Sequence, residues 1–142
     1  MTSIYYRRNK QHDDGVPSIF EEKYDGTAED ATYDIMQAWK DGVFLVFDTD
    51  EHIHLIPASE VAIIIIRGEV PDKYAPQSKI SAVVDELEYT EFWEAKTLRM
   101  ETALSIQAKW KSGLMMFRGL NEGTIVCIPT SRIKYLCVER KQ

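Results

Sequence analysis

An internal repeat is the feature that most constrains how this chain of 142 residues folds. Residues 35–47 align without a gap on residues 106–118, at an offset of 71, and both segments contain the frame Trp-Lys-x-Gly. After a one-residue insertion, Ile-Pro-Ala-Ser at 56–59 falls on Ile-Pro-Thr-Ser at 128–131. Because residue type and order match along both alignments, we expect two copies of one structural unit. The alternative is that two hairpins of similar design converged on similar turn residues.

The hydrophobic pattern of each copy indicates β-strands. Apolar and polar residues alternate along residues 97–111, which is typical of a half-buried strand, and residues 31–39 show a weaker version. Lys-Asp-Gly and Lys-Ser-Gly then place a glycine where a tight hairpin needs a positive φ. Pro57 and Pro129 each remove a backbone donor, so the chain is expected to bend there before the last strand. Each copy is therefore predicted to be an antiparallel meander of four strands.

These patterns together predict a mainly β fold of two pseudo-repeated four-strand meanders, either small-barrel or sandwich-like. We predict one compact domain of residues 1–142, with the first copy at 28–68, the second at 94–142, and a linker between them at 69–93. One short helix is predicted within the linker at 78–89, because apolar residues recur there at helical spacing. Tandem small meanders with a Trp-Lys-x-Gly hairpin resemble SH3-like or Sm-like barrel modules in architecture, and a likeness of this kind implies no function.

Composition excludes several classes of protein. The chain is 44% hydrophobic and 28% charged, close to the average of soluble globular domains. Its longest apolar run, 61–66, is far shorter than the ~20 residues of a membrane span, and its first residues lack the order of a signal peptide. Cys127 and Cys137 lie in apolar segments and indicate buried thiols rather than a disulfide. We therefore expect a cytoplasmic protein without a membrane partner.

The charges are distributed unevenly along the chain. Residues 1–102 contain 10 Lys and Arg against 21 Asp and Glu, a net charge of −11. Residues 103–142 contain 7 against 2, a net charge of +5. Three interpretations stay open: the acidic copy packs on the basic copy, the chain associates with itself, or the basic copy binds an anion.

Four consecutive isoleucines favour self-association. Alternate residues of a strand face opposite sides of a sheet, so a strand containing Ile63, Ile64, Ile65 and Ile66 needs cover on both faces. Either the two meanders enclose this strand or a second subunit covers it. We predict a homo-oligomer with these four residues in the interface.

The basic second copy is the candidate ligand site. Its basic residues are interleaved with aromatic residues, a combination that suits stacking on a base and binding of a phosphate. Trp110 and its counterpart Trp39 are expected in the core. A long nucleic acid is disfavoured because the acidic remainder of the chain repels an extended polyanion, whereas a nucleotide-like ligand or an acidic protein surface meets no such barrier. The candidate ligand-binding residues are Lys109, Lys111, Arg118, Arg132, Lys134 and Tyr135.

Catalytic chemistry has less support in the sequence. There is no nucleophile elbow and no phosphate-binding glycine loop. His52 and His54 lie two residues apart beside several carboxylates, which is a weak indication of a zinc site, and the second copy has Thr124 and Val126 in their place. We therefore predict no catalytic residue, no metal and no cofactor.

The sequence thus predicts a non-enzymatic cytoplasmic binding protein that is homo-oligomeric. It binds or sequesters a small anionic, nucleotide-like ligand or an acidic partner through the second copy, as an accessory or inhibitor protein of a phage or mobile element does. The alternative is a structural or assembly protein, in which the charge asymmetry and the isoleucine strand serve only self-association. A second alternative is a metal-dependent enzyme that uses His52 and His54.

Overall fold

The computed structural model describes residues 1–9, 14–47, 52–69, 75–85, 90–119 and 123–141. The fold is mainly β, as predicted, with antiparallel strands and two helices in the described ranges. The chain divides into unit 1, residues 1–69, and unit 2, residues 70–142. Among the described residues, no helix combines the length and the apolar character that a membrane crossing requires.

Unit 1 contains five strands and one helix among its described residues. Strand β1 lies between β2 and β5 and pairs with both in antiparallel fashion, while β3 and β4 form a hairpin. A single 3-10 turn at Ala58–Glu60 leads into β5. In chain order the elements are β1 (Thr2–Arg8), β2 (Ile19–Tyr24), α1 (Ala28–Asp41), β3 (Val43–Phe47), β4 (Ile53–Pro57) and β5 (Val61–Arg67).

Unit 2 repeats this order of elements in its described residues. Strand β6 lies between β7 and β10, and β8 pairs with β9 as a hairpin. Single 3-10 turns follow the helix at Trp110–Ser112 and precede the last strand at Thr130–Arg132. The elements are β6 (Ser78–Val84), β7 (Thr90–Ala95), α2 (Arg99–Lys109), β8 (Leu114–Gly119), β9 (Thr124–Pro129) and β10 (Ile133–Arg140).

The strand register is the same in the two units. Ser3 pairs with Arg67 in unit 1, and at the equivalent positions Lys79 pairs with Glu139 in unit 2. Both sheets also shift register at the same place, near the end of the first strand. The predicted repeat is therefore confirmed, and it extends over two further strands that precede the helix in each unit.

The Trp-Lys-x-Gly motif ends a helical segment in both units, whereas the sequence predicted a hairpin turn: Gly42 ends α1, and Gly113 ends the 3-10 turn that follows α2. Gly42 and Gly113 have φ angles of 87° and 83°, in the left-handed region that favours glycine. The amide of Ala58 donates to the Gly42 carbonyl at 2.9 Å, and the amide of Thr130 donates to the Gly113 carbonyl at 2.9 Å. The same two glycines therefore end the helical segment and position the chain that precedes the last strand.

The strands predicted over residues 31–39 and 97–111 are wrong, because both segments are mainly helical. In α1, Thr27 and Asp30 form a capping box that satisfies free amides at the helix start. In α2, only Thr102 is fully buried, so the helix carries no wide apolar stripe and its sequence resembles an alternating strand. Each unit is consequently built from five strands and a helix rather than from a four-strand meander.

The short helix predicted at 78–89 is also wrong over its described part, which forms strand β6; residues 86–89 lie outside the described residues. Ile80, Ala82 and Val84 are buried at alternate positions, as in a half-buried strand. Ser78, the expected helix cap, is buried in the strand, and its hydroxyl donates to a backbone carbonyl at 2.6 Å. The predicted linker, 69–93, thus supplies two strands of unit 2.

The isoleucine run lies in β5 and is largely buried in the single chain. Ile63, Ile64 and Ile66 are 5%, 0% and 0% exposed, and Ile65 is half-buried. These side chains need no second subunit to cover them. The physical reason for placing them in an oligomer interface is therefore lost, and the homo-oligomer has to be argued from another surface.

Candidate ligand groove on the second unit

The six predicted ligand-binding residues are spread over several elements of unit 2. Tyr135 is 60% exposed, and the Lys134 ammonium lies 3.8 Å from the carboxylate of Asp85. This ion pair offsets part of the positive charge that the sequence assigned to the strand. Lys109 ends α2, Lys111 and Arg132 lie in the two 3-10 turns, Arg118 lies on β8, and Lys134 and Tyr135 lie on β10.

The structure brings two of these basic residues onto adjacent turns. The backbone hydrogen bond from Thr130 to Gly113 joins the turn that carries Arg132 to the segment that carries Lys111. Arg118 lies elsewhere, on a strand of the β8–β9 hairpin. The six residues thus lie on several elements of unit 2, and the structure joins the turns of two of them, Lys111 and Arg132, by this hydrogen bond.

An open groove of about 610 Å³ lies between α2 and β10, and we call it the α2–β10 groove. Its lining is mostly apolar, with one basic side chain and one amide. Of the six predicted ligand-binding residues, only Lys111 lines it. The lining residues are Ala103, Ile106, Gln107, Trp110, Lys111, Leu136 and Val138.

Helical and strand periodicity together build the groove. Ala103, Ile106 and Trp110 are spaced by three and four residues, so they lie on one face of the helix and its terminal turn. Leu136 and Val138 alternate along β10 and lie on one face of that strand. The two walls are thus determined by local structure, and no loop residue from outside the described ranges is needed to form them.

The equivalent surface of unit 1 is closed. Ile35, Ile64 and Ile66 occupy the positions of Ile106, Leu136 and Val138, and they are 2%, 0% and 0% exposed. The three residues of unit 2 are all half-buried. The repeat therefore provides an internal comparison in which one copy packs this surface and the other leaves it accessible.

Trp110 is not the core residue that the sequence predicted. It is 37% exposed, because it lies in the turn at the end of a helix rather than on the apolar side of a strand. Trp39 is half-buried, with its ring centroid 6.5 Å from that of Phe44. Further apolar surface continues along α2, where Met100 and Leu104 are 68% and 55% exposed. Exposed apolar surface beside a groove is typical of a binding site.

The charges around the groove favour a negatively charged ligand. Lys109 and Lys111 stand on either side of Trp110 at the carboxyl end of α2, where they complement the helix dipole and are exposed to solvent. Unit 2 as a whole contains 11 Lys and Arg against 9 Asp and Glu, a net charge of +2. Unit 1 contains 6 against 14, a net charge of −8.

Unit 1 contains an acidic cavity that the sequence did not indicate. A space of about 410 Å³ is lined by Glu22, Asp34 and Asp41 together with aromatic and aliphatic side chains. Oε2 of Glu22 is buried and has no hydrogen-bond partner among the described residues, and burial raises the pKa of this carboxyl. The hydroxyl of Tyr24 donates to Asp34, which raises the pKa of Tyr24 to about 12. An anionic ligand is disfavoured in this cavity.

The two histidines of the metal hypothesis lie close together at the start of β4. Their ring centroids are 6.1 Å apart, and the ring of His54 also packs 4.7 Å from that of Phe20. Within the described ranges, no group of three or more His, Cys, Asp or Glu residues is arranged to hold a metal ion. The carboxylates that this hypothesis required, at 48–51, lie outside the described residues.

No protein-family model, no curated protein and no solved structure matches this chain. The geometry of each unit and the differences between the two units are therefore what indicate a function.

Proposed function

We propose that this chain is a non-enzymatic binding protein whose second unit binds an acidic segment of a protein partner in the α2–β10 groove. The observation that carries the proposal is the accessibility of this apolar surface in unit 2, where the equivalent surface of unit 1 is packed. The two free thiols, one buried and one half-buried, fit the cytoplasmic location that is part of the proposal.

The lining of the groove favours a protein segment over a nucleotide. A nucleotide needs several donors around its phosphates, but Lys111 supplies the one cationic donor of this lining, beside the neutral side-chain donors of Gln107 and Trp110. Arg132 and Tyr135 do not line it. An acidic segment with one or two apolar side chains matches the lining better, because its apolar side chains fill the groove and a carboxylate reaches Lys111.

The proposal is tested with short synthetic peptides that vary independently in Asp/Glu content and in apolar side chains. Binding is measured by calorimetry with the whole chain. We expect tight binding only when a peptide has both features, and we expect the affinity to fall as salt screens the charges. Lys111→Glu is expected to lower the affinity for acidic peptides by about tenfold, because one favourable charge contact is lost.

The matched control is Lys40→Glu, which makes the same charge change at the equivalent position of unit 1, also exposed. This variant is expected to bind acidic peptides as the wild type does. Equal loss of affinity in both variants would show that net charge rather than the groove governs binding. Binding of a nucleoside triphosphate in the absence of any peptide binding would replace the protein segment with a small ligand.

A further inference from the structure

The β3–β4 hairpin of unit 1 presents an apolar face to solvent. Its four large side chains are each half exposed or more, and they pair across the two strands, Leu45 with Leu55 and Phe47 with Ile53. Side chains paired in this way lie on one face, so they form a patch on the order of 400 Å². The exposed fractions are 50% for Leu45, 52% for Phe47, 54% for Ile53 and 65% for Leu55.

The equivalent face of unit 2 is largely buried. Ile125 and Cys127 occupy the positions of Ile53 and Leu55, and they are 5% and 0% exposed. Met116 and Arg118 occupy the positions of Leu45 and Phe47, and both are half-buried. With the same strand register, this face is therefore much less exposed in unit 2 than in unit 1. The hairpin face of unit 1 consists of large apolar side chains, which are usually buried. This composition indicates that another protein surface covers it.

Charge identifies the kind of surface that fits. Unit 1, which carries the hairpin, has a net charge of −8. Two hairpin faces packed on each other would bring two such units together, which is unfavourable. The α2–β10 groove offers an apolar lining with Lys111, within a unit of net charge +2.

We propose that the hairpin face of one chain docks in the α2–β10 groove of a second copy, head to tail. The proposal rests on the proposed function, because it assigns the acidic partner of the groove to this chain itself. An apolar centre of about 400 Å² is about half of the ~800 Å² that each partner contributes to a stable interface. A head-to-tail contact leaves one hairpin and one groove free at the ends, so it produces a ring or an open chain of subunits.

Two variants remove the two sides of the contact separately. Leu55→Glu places a charge in the hairpin face, and Trp110→Glu places a charge in the groove. Both residues are solvent-accessible, so both variants are expected to fold, which circular dichroism melts check. Tyr33→Glu, at a residue of α1 that is 71% exposed, is the matched control. Sedimentation velocity and native mass spectrometry then report the number of subunits for each protein and for equal mixtures.

We expect wild type and Tyr33→Glu to be oligomeric and each interface variant to be monomeric. An equal mixture of Leu55→Glu and Trp110→Glu is expected to form dimers and nothing larger, because one intact hairpin and one intact groove remain. A dimeric Trp110→Glu beside a monomeric Leu55→Glu would indicate a hairpin-to-hairpin contact and overturn the proposal. A monomeric wild type that still binds acidic peptides in the groove would overturn self-docking and leave the proposed function standing.

Discussion

Replacing Gly42 or Gly113 with alanine tests the equivalence of the two units on which both proposals depend. Gly42 ends α1 and Gly113 ends the 3-10 turn after α2, each with a φ above +80°, and each carbonyl accepts a hydrogen bond from the residue that starts the 3-10 turn before the last strand. Alanine in this conformation brings its Cβ too close to the following carbonyl, at a cost of about 1–2 kcal/mol. If the units are equivalent, the two substitutions have equal effects.

The structure restricts the expected cost at Gly42 to the backbone. Apart from its own chain neighbours, no atom of the described residues lies within 4 Å of the position that a Cβ would occupy there, so no packing clash adds to the conformational penalty. For a domain of about 60–100 residues, the size range of unit 1, a loss of 1 kcal/mol in the free energy of unfolding lowers the melting temperature by roughly 4–8 °C. We therefore expect Gly42→Ala to lower the melting temperature of the transition that includes unit 1 by about 4–16 °C.

The assay is a thermal melt followed by circular dichroism, with Gly42→Asn and Gly113→Asn as controls. Asparagine tolerates the left-handed region, so these variants are expected to lose less stability than the alanine variants. A neutral Gly42→Ala would show that the helix does not end in this conformation. A large cost at one glycine with none at the other would refute the equivalence of the two helix ends.

Three further predictions follow from burial and charge. Cys137 is half-buried and Cys127 is fully buried with its pKa raised to about 12, so an alkylating reagent should label Cys137 alone in the native protein and both thiols after unfolding, as read by mass spectrometry. Ile35→Ala should destabilise by about 3 kcal/mol and Ile106→Ala by about 1 kcal/mol in urea titrations, because only the first side chain is packed on all sides. Burial raises the pKa of the Glu22 carboxyl in the folded state. The stability that this shift contributes is therefore present at a pH below the unfolded-state pKa and is lost as the pH rises through the folded-state pKa. Glu22→Gln should consequently raise the melting temperature at neutral pH and leave it unchanged below about pH 4.

The sequence predicted the repeat and the mainly β class because both can be recognised from the order of residue types in short segments. It did not predict α2, since a helix that leaves Met100 and Leu104 exposed lacks the apolar stripe from which helices are recognised. Strand β6 was missed for the opposite reason. Its apolar residues satisfy a helical spacing and a strand alternation at once, and sheet pairing with β7 and β10 decides between them.

The candidate site was predicted only in part. Lys111 was among the predicted residues and lies in the groove, because a basic residue near an aromatic residue is visible in sequence. The exposure of Trp110 was not predicted, because it depends on which face of the helix the rest of the unit leaves uncovered. The hairpin face was also missed: Phe44 and Val46 are as apolar as their neighbours Leu45 and Phe47, so no alternation shows which face meets solvent.

The location of peptide binding on the chain is the most direct test of the proposed α2–β10 groove site. The tightest acidic peptide from the calorimetric series is titrated into isotopically labelled protein, and amide chemical shifts are followed by NMR. If peptides bind in the groove, the largest changes fall at residues 103–111 and 136–138, the two walls of the α2–β10 groove. Changes concentrated on β8 around Arg118, or on unit 1, with none along α2 would contradict the groove site.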